Sequence, residues 1–206
     1  MFRNLFRPDS PLMVTMSQIT DCIFLSMFWL LGCLPVVTVG ASFAAMYDAV
    51  YRGFRKGEKN SWQCFLRSYR RNWKDGIVPT VVFLAALWGL GALLIRLWNS
   101  AVCGTVSWGV FSAGAFVGML LLGILSVLFP MLSRFENSAA MLLKNAVLVA
   151  LANLPRTLCL GALNAVSVFL CARYVLPLFF LPALAALLGT LLIEPMFRPF
   201  LPQDAA

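Results

Sequence analysis

Long apolar runs alternate along this chain with shorter segments in which aromatic and basic residues mix. A helix needs about 20 mainly apolar residues to cross the hydrocarbon core of a bilayer. Five stretches meet that length or come close, at residues 12–34, 77–98, 108–131, 157–175 and 177–197. Ser10-Pro11 is a suitable helix start for the first. Leu34-Pro35 ends it, because proline disfavours helical geometry in the residue before it.

The segments between the runs carry a different pattern. From 41 to 56, Phe43, Met46, Tyr47, Val50 and Phe54 recur at steps of three and four, with Arg52, Arg55 and Lys56 off that side. This spacing predicts an amphipathic helix at the membrane surface. Asn60-Ser61 can cap a second short helix from Trp62 to Lys74, whose aromatics Trp62, Phe65, Tyr69 and Trp73 are flanked by Arg67, Arg70, Arg71 and Lys74. Residues 136–155 predict a further amphipathic helix, since Asn145, Asn153 and Pro155 make this segment a poor span. The expected fold is therefore all-α, a polytopic membrane protein of about five transmembrane helices with amphipathic cytoplasmic interfacial helices, in a single membrane domain over 1–206. An alternative makes residues 136–157 a sixth span.

Composition supports the membrane reading. The chain of 206 residues is 61% hydrophobic and 12% charged, with a mean hydropathy of +0.87. A soluble domain carries about 25% charged residues. The excess of 16 Lys+Arg over 8 Asp+Glu gives a net charge of +8. In a soluble protein that would point to nucleic acid. Here the basic residues lie between apolar runs, so the positive-inside rule accounts for them and no nucleic-acid partner is expected.

Charge also sets an orientation. Residues 52, 55, 56, 59, 67, 70, 71 and 74 are all Lys or Arg, and they make 41–76 a basic cytoplasmic segment. Arg134, Lys144, Arg156 and Arg198 join that side, leaving Arg3, Arg7, Arg96 and Arg173 outside with the N-terminus. Ser42-Phe43-Ala44 meets the small-x-small rule of a signal-peptide cleavage site. The long apolar run and the basic residues after it favour an uncleaved first span.

The string LLGCLPVVTVGASFAAMYDAVYRGFRKGE resembles the hallmark of the YesL-like family, small bacterial integral membrane proteins of unknown function. Its Leu-Pro-x-x-Thr-x-Gly turn falls at Leu34, Pro35, Thr38 and Gly40. A second block matches at Phe129-Pro130, Arg134-Phe135-Glu136, Lys144-Asn145-Ala146 and Leu154-Pro155. The chain has Ser26 where one family pattern often has Asn. The resemblance implies an accessory to carbohydrate uptake, associated with binding-protein-dependent sugar importers. It carries no active-site residue onto this chain.

Little in the sequence carries chemistry. The chain has no histidine, which removes His-based nucleophile pairs, His metal ligands and a His switch. The cysteines, at 22, 33, 64, 103, 159 and 171, form no C-x-x-C pair. No metal, cofactor or catalytic residue is expected, and the chain is not expected to be an enzyme. Ionisable groups at membrane depth are costly and mark candidate sites. These are Asp21, with Arg96 and Arg173 as its natural partners, and Glu194, with Arg156, Arg134 or Arg198. Ion pairs that fix helix packing are the simpler reading, and a proton or solute relay the sharper one. Gly114-x-x-x-Gly118, Ala85/Gly89 and Ala185/Gly189 are small-x-x-x-small faces suited to close helix contact.

These features lead to a non-enzymatic accessory or scaffold protein of the bacterial cytoplasmic membrane. Its expected partners are the bilayer, anionic lipid headgroups at the basic face and sugar importer subunits. A small transporter or channel, acting alone or as an oligomer, is the alternative.

Overall fold

A computed structural model describes residues 11–58, 60–135 and 138–197, with side chains from residue 18 onward. The described residues form eight α-helices. They are α1 (Pro11–Cys33), α2 (Val39–Val50), α3 (Ser61–Asn72), α4 (Ile77–Val102), α5 (Trp108–Arg134), α6 (Ala139–Ala152), α7 (Leu154–Arg173) and α8 (Leu181–Phe197). Short 3-10 turns at Val36–Thr38 and Leu176–Phe179 and a π-helical turn at Tyr51–Arg55 complete the order.

Three of these helices, α4, α5 and α7, are long and apolar enough to cross a membrane. That is fewer than the five expected. The described apolar part of α1 covers Gln18–Cys33, and α8 has 17 residues. At 1.5 Å per residue α8 is about 25 Å long, short of a hydrocarbon core of about 30 Å. The Leu176–Phe179 turn takes up residues that the expected 177–197 span had counted as helix. The other boundaries also move. The second span runs on past Trp98 to Val102, and the third continues through Pro130 to Arg134. The fourth begins at Leu154, with Pro155 in its first turn.

The largest departure from expectation is α2, predicted as a surface helix and found in the centre. Every residue from Ala44 to Val50 is buried, and Ala41, Ala44, Ala45 and Ala49 have no measurable exposure. The helix touches α1, α3, α4, α5 and α8. The reason is side-chain size. Gly40, Ala41, Ser42, Ala44, Ala45 and Ala49 cover most of its circumference, so neighbours approach its backbone from several sides. Phe43, Met46 and Tyr47 then fill the gaps between those neighbours. Phe43 stacks on Phe129 at 5.2 Å and meets the edge of Trp29, and Phe83 closes the group.

The α5–α7 contact is built the same way. A Cβ on Gly123 would collide with the Thr157 carbonyl, and one on Gly161 with the Met119 carbonyl. Neither glycine belongs to the motifs singled out in the sequence. Of those motifs, Gly114 and Gly118 lie under Leu97 and Leu90 of α4, while Gly89 faces open space. A single residue, Asn153, separates α6 from α7, yet α6 packs far more on α5 than on α7. The two helices therefore form a broken rod rather than a hairpin.

Outward faces of the long helices are apolar. Trp88, Leu93 and Ile95 on α4, Phe116 and Val117 on α5, and Val168 and Phe169 on α7 are all exposed. Such a surface suits lipid and is far larger than soluble monomers tolerate.

Candidate functional site

Two groups of polar side chains lie at the two ends of α2. At its start lies the Leu34–Gly40 turn. Pro35 is extended (φ −77°, ψ 112°) and stops α1. The Thr38 hydroxyl donates to the carbonyls of Gly32 and Pro35, each at 2.9 Å, so it satisfies acceptors left open at the end of α1. Gly40 is explained by close approach. A Cβ there would collide with Thr80 Oγ1 and lie 2.8 Å from Phe129 Cε1. In its absence the Gly40 N–H donates to Thr80 Oγ1 at 2.9 Å, and that hydroxyl donates on to the Gly76 carbonyl at 2.5 Å. Thr80 is fully buried. It latches the start of α2 to the first turn of α4. Leu34, by contrast, is exposed and makes no part of this latch.

At the far end of α2, Tyr47 donates to Glu194 Oε1 on α8 at 2.8 Å. The same oxygen accepts from Arg134 Nη2 of α5 at 2.6 Å. The Arg134 guanidinium lies over the Tyr51 ring, 3.8 Å from its centroid, and Tyr51 stacks on Tyr47. Three helices and a π turn thus meet at one carboxylate. Burial, and then the charge of Glu194, push the Tyr47 phenol well above its ordinary pKa, so it remains a donor. The π turn contributes by widening the backbone spiral just where Tyr51 must reach under Arg134.

A second charged group lies where the chain leaves α2. Arg52 Nε contacts Asp48 Oδ1 at 2.9 Å, and its Nη1 is 3.7 Å from Glu58 Oε1. Cys64 Sγ donates to Glu58 Oε2 at 3.2 Å. The hydrogen bond to Asp48 raises the Arg52 pKa further, and burial raises the Cys64 thiol.

The expected partners of Asp21 are not found. Among the described residues Asp21 makes no hydrogen bond or ion pair with Arg96 or Arg173. Helix α1 packs on α2, α3 and α8 rather than on α4 or α7, which carry those arginines. Arg96 is exposed, and Arg173 lies 5.7 Å from the Tyr174 ring. Of the three candidates for Glu194, Arg134 is the partner. Arg156 bonds Asn153 Oδ1 at 3.3 Å instead, and Arg198 lies outside the described residues. Ser26 is fully buried, and its hydroxyl accepts from the Ala183 N–H in the first turn of α8 at 3.3 Å.

Sequence reasoning missed Tyr47, Tyr51 and Thr80. The signal for the tyrosines was present: two phenols four residues apart, at the end of a helix rich in small residues. No signal marked Thr80, which pairs with Gly40 across 40 positions.

Residues 22–95 match a family described as "Protein of unknown function, DUF624". The matched part runs from α1 to near the end of α4. It holds the Pro35–Gly40 turn, α2, α3 and the Thr80 latch, and stops short of Arg134 and Glu194. No curated protein and no solved structure matches the chain. Among the described residues no group of three or more His, Cys, Asp or Glu side chains could hold a metal ion.

Proposed function

We propose that this chain is a non-enzymatic accessory or scaffold protein of the bacterial cytoplasmic membrane, working beside a binding-protein-dependent carbohydrate importer. One observation carries the scaffold reading. Tyr47, Arg134 and Glu194, from three different helices, meet at one carboxylate oxygen. This contact holds α2, α5 and α8 in one arrangement. The link to sugar import comes from the resemblance to the YesL-like family.

In this proposal α1 and α8 complete a five-span topology. Helix α1, at 23 residues, is about 34 Å long and needs only modest tilt. The basic segment around α3 then faces the cytoplasm and the N-terminus lies outside. Gentle co-purification of the full chain from native membranes tests the function. Importer subunits should be retained. Recovery of no importer subunit and no other stable partner would sink this reading.

A small transporter or channel is favoured by one feature, the α6–α7 break at Asn153-Leu154-Pro155. Interrupted helices often line solute paths in membrane transporters. Solute uptake into vesicles that contain only this chain would decide for it.

A further inference from the structure

Basic residues on and around α3 are used in different ways. Arg52, Arg71 and Arg134 are used internally, on Asp48, on the Ser133 carbonyl at 2.7 Å and on Glu194. Arg67 and Arg70 are exposed and make no hydrogen bond or ion pair among the described residues. Both lie on α3, one helical turn apart, and both line one shallow hollow with Trp62, Gln63 and Leu66. No residue of α3 is acidic.

The position of α3 identifies what can reach this hollow. Its inner face, Cys64, Phe65, Ser68 and Asn72, is buried. Trp62 in its first turn and Trp73 just after its last residue are 46% and 50% exposed. Helix α4 starts at Ile77, directly after α3, and reaches Trp98, where Trp98, Trp108 and Phe111 meet edge to face. Ile77 to Trp98 is about 32 Å at 1.5 Å per residue, close to the hydrocarbon thickness. Tryptophans concentrate at both interfaces of a membrane. Helix α3 therefore sits at headgroup level at one end of the spans.

We propose that the hollow on α3 binds the phosphate of an anionic phospholipid. Arg67 and Arg70 hold the phosphate oxygens through forked N–H donors. The Trp62 ring and Leu66 lie against the glycerol and upper acyl region, and Gln63 supplies a donor and an acceptor for the headgroup. An acidic segment of a soluble protein would satisfy the arginines, but it would leave Trp62 and Leu66 at the depth of lipid with nothing to cover them.

The full chain reconstituted into phosphatidylcholine vesicles provides the test. Phosphatidylglycerol or phosphatidylcholine with brominated acyl chains is added, and tryptophan quenching is read. Phosphatidylglycerol should be preferred by up to roughly 25-fold, since each of the two arginines near an anionic surface contributes about a fivefold factor. Arg67→Gln/Arg70→Gln should remove most of that preference, and Trp62→Phe should remove most of the preferential quenching. Arg55→Gln/Lys56→Gln should reduce the preference far less than Arg67→Gln/Arg70→Gln and leave the Trp62-dependent quenching in place. For the unaltered chain the preference should fall as salt rises, because exposed charges are screened. Equal quenching by the two lipids, or a preference that survives both the arginine substitutions and high salt, would overturn the proposal. So would loss of the preference on adding inorganic phosphate at about 10 mM, which would assign the hollow to soluble anions. Binding of a soluble polyglutamate peptide at the hollow without a lipid preference would assign it to a protein partner instead.

Discussion

Arg134 and Glu194 stand 60 residues apart and meet at 2.6 Å, with Tyr47 on the same carboxylate oxygen. Their side chains are 15% and 12% exposed, so the charges are largely withdrawn from water. A buried pair of this kind is weak evidence for net stability but a strong constraint, because removing one partner strands the other. Arg134→Met should destabilise the chain by about 3 kcal/mol. Arg134→Met/Glu194→Gln should recover a large part of that loss, since no charge is then left alone. Thermal unfolding of both variants in the same detergent checks the order. A double variant that is no more stable than the single one would show that the pair itself stabilises.

The Gly40–Thr80 latch predicts a different pattern. Thr80→Ala removes the acceptor of the Gly40 N–H in a fully buried place, at a cost of about 1–3 kcal/mol. Thr80→Ser keeps the hydroxyl and should restore most of that stability. Gly40→Val adds bulk against Thr80 and Phe129 and should impair assembly more than either. Yield of folded chain from membranes and its melting temperature rank the three. A Thr80→Ser variant as poor as Thr80→Ala would move the explanation from the hydrogen bond to the methyl packing.

Cys64 permits a prediction in pH. The thiolate is the reactive form, and burial with the nearby Glu58 holds the Cys64 pKa above the ordinary 9.0. Its alkylation should therefore begin at higher pH than that of an ordinary thiol. Because the folded-state pKa is raised, the stability tied to the neutral thiol is fully present below pH 9.0 and is lost as pH rises beyond it. Glu58→Gln should shift the onset of labelling toward neutral pH. Mass-spectrometric labelling profiles of the two chains give the comparison, and identical onsets would remove Glu58 as a cause.

Apolar runs were legible in the sequence because length and hydropathy are local properties. Helices α4, α5 and α7 were found within a few residues of their ends. What was misjudged was α2. Its period matched a surface helix, but period reports only which residues share a side. Small side chains on the remaining sides decided that other helices could close over it. Site residues divide in the same way. Thr38 acts within its own turn and could be inferred, whereas Thr80, Tyr47 and the choice of Arg134 over Arg156 depend on which helices pack together. Asp21 failed for that reason: α1 packs on other neighbours than the arginines assigned to it.

Glycine spacing alone does not say which glycines matter, and the structure separates them sharply. Gly89 belongs to a small-x-x-x-small face, yet a Cβ there meets nothing within 4 Å. Gly89→Ala should be neutral or stabilising by up to about 1 kcal/mol, from helix propensity alone. Gly123 and Gly161 belong to no motif picked out in the sequence, yet a Cβ on either would run into backbone of the facing helix. Backbone cannot rotate aside as a side chain can, so α5 and α7 would have to separate. That separation would also stretch the Asn164–Ser126 hydrogen bond, now 3.0 Å, which joins the same two helices. Gly161→Ala should therefore cost several kcal/mol, at the upper end of what overpacking does. Gly114→Ala should fall between, because the obstruction there is the Leu97 Cδ1 methyl, which can move. Melting temperatures in the order Gly89→Ala, Gly114→Ala, Gly161→Ala, from highest to lowest, are the expected result. A Gly161→Ala variant as stable as the parent would mean that the α5–α7 contact is looser than described.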